Sequence, residues 1–494
     1  MALFQSGSLS KLGSLNIAPF LDTPALPNIL AEWASILPLV CHLAGYQRDY
    51  QSVGKISLLG RLSIGLFPKL GTLEGAAGML KRGPEYLDQA SGCGSHSHVV
   101  WDVLWGSVFP CANGAASALV TAFGIESRKQ QPTMMPDSLA ERPPAPSEGV
   151  NSNPPTPDQS THAVEQPGPR ESGAAVEPTD AEPGNVESAN RTTPSASTAN
   201  APNAPHFRRY QTLHVLNFSR CSREPTLSSA ADALFSSVFV EITTSLLIVA
   251  LSAVLCLFGA YGSSTIIFCS RVSHTACRFF RLYRPSGYLE NNEAHETSYM
   301  LLSSHQNAST WYLYVGDRAV VDTLLNKTMI VVPMTNFTCW LRRLLLFNHY
   351  IQLLAMTFVA AQKGWDGIIL VSVMVLDFVS RWIFEGNNVA GQWMRVEGVK
   401  LDVKSYEFTG RTMMLGAIQL LSGSRITSWM DGIITPHPRR NAWLKKISDG
   451  LDVDSACGGN SWSCHDRQWI ELSSALAIES AKILAIDLGT VQGV

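Results

Sequence analysis

Four polar side chains are set in an apolar hairpin, His349 and Gln352 in its first arm, Asp377 and Arg381 in its second. A carboxylate within a membrane-length helix costs several kcal/mol unless it faces protein or water. Arg381 follows Asp377 by four residues, so the two can pair on one helical face, and His349 and Gln352 can face the same seam. The constellation has two readings. One is a proton or ion path; the other is an intrahelical pair plus interhelical hydrogen bonds holding the arms together. The second carries more weight, because one arm supplies both charges.

Elsewhere the chemistry is thinner. Cys457, Cys464 and His465 offer two thiols and an imidazole, but a structural zinc site needs four ligands at short paired spacings. Asp449, Asp452 and Asp454 lack the pattern of a calcium loop and read as solvated acids. Gly316-Asp317-Arg318 could present amides to an anion, although turning a strand into a helix is the simpler role. There is no nucleotide-binding glycine loop, nucleophile elbow, paired-histidine zinc helix, or haem or flavin motif. The reading is therefore of no catalytic, cofactor-binding or metal-binding residues, no cofactor, and a chain that leans away from being an enzyme.

Apolar segments must position these residues. The arms, 344–361 and 368–384, each approach the ~20 residues that cross a bilayer at 1.5 Å rise. The turn Gln362-Lys363-Gly364-Trp365-Asp366-Gly367 leaves no room for a domain, so both arms leave on one side. Residues 238–261 make another expected transmembrane helix, with Glu241 near an end. Residues 103–125 carry no charge and form a further candidate, whose Pro110, Asn113 and Gly114 need neighbouring helices. Residues 29–46 contain Glu32, Pro38 and His42 and read equally as a span, a re-entrant or interfacial helix, or a buried one. They lie in an N-terminal region, 1–98, taken as interfacial. Trp101, Trp105, Trp340, Trp365, Trp382 and Trp393 read as interface anchors.

Residues 127–205 are rich in Pro, Ser, Thr and Ala and poor in aromatics, the composition of a disordered linker. Residues 271–284 read as a basic juxtamembrane segment. Residues 299–333 read as a small α+β module: strand-like runs at Met300 and Thr310–Val315 about a His305 turn, then a helix capped by Asp317. The tail, 385–494, alternates like a strand at Val399–Phe408 and has amphipathic helical patterns at 411–422 and 469–488.

The 494 residues carry a net charge of −3, which gives no global excess of positive charge for nucleic acid. Ten cysteines in so long a chain are not a small disulfide scaffold. The start, Met1-Ala-Leu-Phe-Gln-Ser, lacks a signal-peptide pattern, so insertion is expected to rest on the spans. Arginine asymmetry places 262–343 and the tail in the cytosol and, with four spans, the linker outside. Sequons conflict with this: Asn307, Asn326 and Asn336 fall in the cytosolic loop, Asn190 and Asn217 on the other side. The arginines are given precedence because they act during insertion.

Four stretches carry a resemblance: His305–Arg318 with Leu324–Met329, Ala360–Gly367, Phe408–Gly423, and Trp429-Met-Asp-Gly with Pro438-Arg-Arg. In this order they resemble a family of uncharacterised multi-span integral membrane proteins of filamentous ascomycete fungi, over roughly residues 230–494. The resemblance implies several spans and a cytosolic tail, and no activity. The expected molecule is an all-α membrane protein of about four transmembrane helices, with a small α+β soluble module and a partly helical tail. It would act as a non-enzymatic membrane organiser or tether. The alternative is a small oligomeric transporter or channel built on the 344–384 hairpin. Partners would be the lipid bilayer and either a second copy or cytosolic proteins, not nucleic acid.

Overall fold

Alternating side chains decide the centre of the molecule. The computed structural model describes residues 27–45, 49–62, 64, 71–91, 97–128, 131–136, 209–221, 227–362, 364–384, 388–449 and 462–489. In chain order the elements are α1 (Asn28–Gly45), α2 (Asp49–Leu59), α3 (Thr72–Arg82), α4 (Pro84–Ser91), β1 (Val99–Asp102), β2 (Val108–Pro110), α5 (Gly114–Arg128), β3 (Thr133–Met134) and β4 (Gln211–Arg220). There follow α6 (Leu227–Leu257), α7 (Tyr261–Arg278), β5 (Thr297–Ser303), β6 (Thr310–Asp317), α8 (Arg318–Leu325), α9 (Asn336–Gln362) and α10 (Trp365–Phe384). The chain continues through α11 (Asn388–Glu397), β7 (Val399–Phe408), α12 (Arg411–Ser422), α13 (Pro438–Asp449) and α14 (Cys464–Leu488).

Among the described residues the strands form one seven-stranded mixed sheet in the order β2-β1-β5-β6-β4-β7-β3. The β4–β6 and β3–β7 pairs are parallel and the others antiparallel. Successive side chains leave a strand on opposite faces, and here both faces are covered. Val100, Met300, Tyr314 and Phe218 pack into a core that also contains residues of α2, α3, α5, α8 and α11. Trp101, Leu301, Trp311 and Leu213 pack with Met414 and Ile418 of α12, Trp443 of α13 and Leu484 of α14. Each fully buried aliphatic side chain is worth about 1.5–3 kcal/mol, which makes this three-layer body the main store of hydrophobic stabilisation. Gly316, at φ +110°, ends the parallel contact of β6 with β4, where a Cβ would collide with the Phe218 carbonyl oxygen.

A buried charge group ties the body together. Arg318 donates through Nη2 to Asp102 Oδ2 at 2.8 Å and through Nε to Asp322 Oδ2 at 3.2 Å. Asp102 Oδ1 also accepts the amides of Leu104 and Trp105 at 3.0 and 3.2 Å. The turn after β1 is thereby fixed to the start of α8. Asp317 caps α8 as expected, accepting the Val320 amide at 3.1 Å.

The all-α expectation is corrected. The molecule is a mixed α/β protein, and among the described residues one helix, α9, is long and apolar enough to cross a membrane. Residues 103–125 are not a span: they hold the turn after β1, strand β2 and most of α5, which lies on the sheet. Asn113 donates to the Thr323 and Lys327 carbonyl oxygens at 3.0 and 2.7 Å, so protein, not lipid, surrounds this apolar stretch. The module of 299–333 is not separate either, because β5 and β6 are the middle of the sheet. Nor is the tail, since β7 pairs with β4 along its whole length.

The expected placement of the linker fails for the same reason. It begins beside β3 and is followed by β4, and both strands flank β7 in the sheet. Most of 127–205 lies outside the described residues, but its beginning contains a strand where disorder was expected. The chain leaves the sheet after β4 for α6 and α7 and returns as β5; it leaves again after α8 for α9 and α10 and returns through α11 as β7. Two arginines of 271–284, the segment expected to be a basic juxtamembrane anchor, turn into the protein. Arg271 is buried against Ser245 of α6, donating through Nε at 3.0 Å. Arg284 enters the body, where it donates to the carbonyl oxygens of Ser57, Leu58 and Met329 and covers the Tyr288 ring at 4.4 Å.

Candidate functional site

Helix α7 is the hub of the helices outside the sheet, and its serines set the geometry. Residues 263, 266, 270 and 273 recur at helical spacing on one face, and 264, 267 and 271 on another. On the first face, Gln352 Nε2 donates to Ser270 Oγ at 3.0 Å and Asn348 Nδ2 donates to Ser273 Oγ at 2.8 Å, both from α9. On the second, Ser264 Oγ donates to the Ser252 carbonyl oxygen of α6 at 2.7 Å, and the two hydroxyls lie 2.8 Å apart. Small residues let helices approach closely enough for such bonds. Ile266 packs with Val359 and Leu370, Ile267 with Ile248 and Leu255.

The start of α7 is capped from another helix. Asp366 of α10 is buried and accepts the amides of Gly262 at 2.8 Å and Ser263 at 2.7 Å, while Ser263 Oγ donates to the Asp366 carbonyl oxygen at 2.7 Å. A carboxylate at a helix N-terminus satisfies orphan donors and complements the macrodipole. Gly262 is required here because a Cβ would collide with Val359 Cγ2 of α9 and lie 2.8 Å from Asp366 Oδ2.

Of the expected polar set, His349 and Gln352 share the inner side of α9 but meet different partners. His349 faces α3, with Nε2 3.7 Å from Glu74 Oε2 and a buried Nδ1 that has no hydrogen-bond partner. Asp377 is half-buried on α10. It lies eleven residues past Asp366, three turns along the same face. The Arg381 side chain, and with it the expected pair, lies outside the described residues. So do Cys457, Asp452 and Asp454; Asp449 ends α13 and Cys464 and His465 open α14. Among the described residues no three His, Cys, Asp or Glu side chains group as a metal site.

A second candidate was not foreseen from the sequence. A cleft of about 470 Å³ between α5 and the sheet is lined by His98, Ser117, Thr121, Glu126, Leu302, Tyr312 and Tyr314, a size suited to a small ligand. Its wall is aromatic: His214 stacks on Tyr312 at 5.4 Å and His98 meets the same ring edge-on at 6.3 Å. At its floor, the Tyr314 hydroxyl lies 2.7 Å from Thr121 Oγ1 and donates to the Ser117 carbonyl oxygen at 3.2 Å. Burial pushes the nearby Cys111 thiol up to about 11, so it is a protonated, weakly nucleophilic group at neutral pH. Burial lowers His214, whose Nδ1 lies 2.7 Å from Ser405 Oγ. That histidine and serine face each other across the β4–β7 ladder, the placement of a cross-strand contact. The cleft has the volume for a small ligand, and among the described residues it assembles no activated nucleophile.

Its residues come from three distant segments, and the sequence holds no local signal for their meeting. At the seam, Gln352 was the side chain singled out in the sequence, whereas the serines of α7 that receive it and Asn348 were overlooked. Compared with protein-family models, with curated proteins and with solved structures, the chain matches none.

Proposed function

We propose that this chain is an integral membrane protein whose helix cluster of α1, α6, α7, α9 and α10 contacts lipid, and whose α/β body serves on one side as a non-enzymatic tether or organiser. The carrying observation is an inversion of polarity in the cluster. Gln352, Asn348, Asp366, Ser252 and Arg271 are buried inside it, while Trp33 (71% exposed), Leu246 (66%) and Leu354 (70%) face outward. On α9 the outward residues Trp340, Phe347, Tyr350, Leu354 and Phe358 form one stripe at helical spacing. In water such a surface is an aggregation site; in lipid it is the ordinary exterior. The resemblance to fungal multi-span proteins points the same way.

On this reading the body, with Asn217, Asn307 and Asn326, and the start of α9, with Asn336, share one side of the bilayer. Arg278, Arg281, Arg342 and Arg343 lie at the body end of α7 and α9, whereas the α9–α10 turn offers Lys363 alone. The positive-inside rule makes that side cytosolic, and the sequons are then unmodified. Transport fits less well. Gln352, Asn348 and Asp366 are each engaged by α7, which is how helices are held together. The test is complementation of a deletion strain by Gln352→Leu and Asp377→Asn variants, with protein abundance followed in membrane fractions. Normal function is expected from both; lost function at normal abundance would contradict the tether and favour a solute path.

A further inference from the structure

We propose that the junction where α7 ends and α9 begins is a binding surface for anionic phospholipid headgroups; this rests on the bilayer placement of the cluster. Large apolar side chains crowd the surface there: Phe279 is 76% exposed and Met334 84%, with Tyr283 and Trp340 also exposed. They are held in place. Tyr283 and Val331 exchange backbone hydrogen bonds of 3.1 and 2.8 Å, and Phe337 stacks on Phe280 at 6.2 Å and on Trp340 at 5.6 Å. Exposed aromatics next to a membrane-length apolar stripe belong at the headgroup level.

Cations sit among them. Arg343 is one turn beyond Trp340, between it and Phe347 on the outward stripe of α9. Arg281 is bridged through its backbone to Arg61. Arg61, Arg281 and Arg343 are exposed, and among the described residues none of them has a carboxylate partner. Unpaired guanidinium groups framed by apolar side chains match a layer in which phosphates lie directly above acyl chains. A forked guanidinium can hold phosphate oxygens while its stem lies on the apolar patch. A nucleic acid or an acidic peptide would satisfy the arginines but leave Phe279 and Met334 in water. The patch is also continuous with the lipid-facing stripe, so the occupant is the anionic lipid of that leaflet.

The full chain would be placed in phosphatidylcholine nanodiscs carrying a minor fraction of brominated phosphatidylserine or, separately, of brominated phosphatidylcholine. The readout is the bromine quenching that disappears in a Trp340→Phe variant. Preferential quenching by the serine lipid is expected, with roughly fivefold enrichment for each arginine engaged. It should fall in Arg281→Gln and Arg343→Gln and shrink as salt is raised. Equal quenching by both lipids, in discs that hold the folded chain, would overturn the headgroup site while leaving the membrane placement intact. A folded chain that elutes free of discs would overturn the placement and the site together.

Discussion

In the sheet body, Trp311 and Leu313 are sealed between helices while Lys400 and Glu471 face outward; in the helix cluster, Gln352 and Asn348 are sealed while Leu354 and Leu246 face outward. The two regions share one chain but solve the burial problem in opposite senses. The body gains stability by removing apolar area from water. On the proposed bilayer placement, lipid would offer the cluster no such gain, and its specificity would come from close packing and from the pairing of inward polar groups such as Gln352, Asn348 and Asp366. The polar contacts of the two regions should therefore respond differently to mutation.

The sharpest test lies in the body. Asp102→Ala takes from buried Arg318 one of its two carboxylates and from the Leu104 and Trp105 amides their acceptor, and removing one partner of a buried ion pair costs about 3–5 kcal/mol. Denaturant unfolding of the detergent-solubilised chain should show a loss of that order. Replacing Asp102, Arg318 and Asp322 together by apolar residues of similar size should restore most of it. Failure of that restoration would mean that the charges do more than fill the body.

Next in size is Asp366→Ala. Two amides at the start of α7 lose a charged acceptor, for about 2–3 kcal/mol. Thermal melts should place the loss in the cluster and leave the body transition where it was, with Asp366→Asn milder. A shift of both transitions together would deny that the regions are distinct. Gln352→Leu should cost less, about 0.6 kcal/mol, the average for an interhelical bond in a membrane, because Ser270 Oγ keeps its bond to the Ile266 carbonyl oxygen. A cost equal to that of Asp366→Ala would argue for a hydrated seam.

The smallest effect expected is one of pH. Burial lowers the folded-state pKa of His214 below 6.5, so above that pH both folded and unfolded states hold the ring neutral and stability is full. As pH falls through 6.5 toward the folded value, the unfolded state takes up the proton first and stability declines. His214→Phe should flatten that decline in the body transition; an unchanged slope would remove His214 as its source.

Local pattern made part of this legible. Strands β5, β6 and β7, the Asp317 cap and the α9–α10 hairpin each carry their signal within a few residues, as period-two alternation, a capping aspartate or a long apolar run. Residues 103–125 misled because absence of charge looks the same whether a helix lies on lipid or on a sheet. Only the partner distinguishes them, and for α5 the partners are Tyr314, Leu302 and Val403, all distant in sequence. Strand β4 was overlooked because its register is set by β6 and β7, far along the chain. Missing β4 in turn allowed the linker to be placed opposite the loop and tail. The cleft was illegible for a related reason: neither Thr121 nor Tyr314 says anything of the other until the sheet is formed.

Labelling of sealed membrane vesicles with an impermeant maleimide tests the one-sided body most directly. Single cysteines at Arg209, Asn307, Lys400 and Gln362 would be introduced into a chain stripped of its native cysteines. The first three belong to or border one sheet, and Gln362 closes α9 at the far end of the cluster. The expected result is a common response from 209, 307 and 400 and the opposite response from 362. Reaction of 209 from the side opposite to 307 and 400 would contradict a sheet shared by those segments. Reaction of 362 from the same side as the others would contradict a cluster that crosses the membrane.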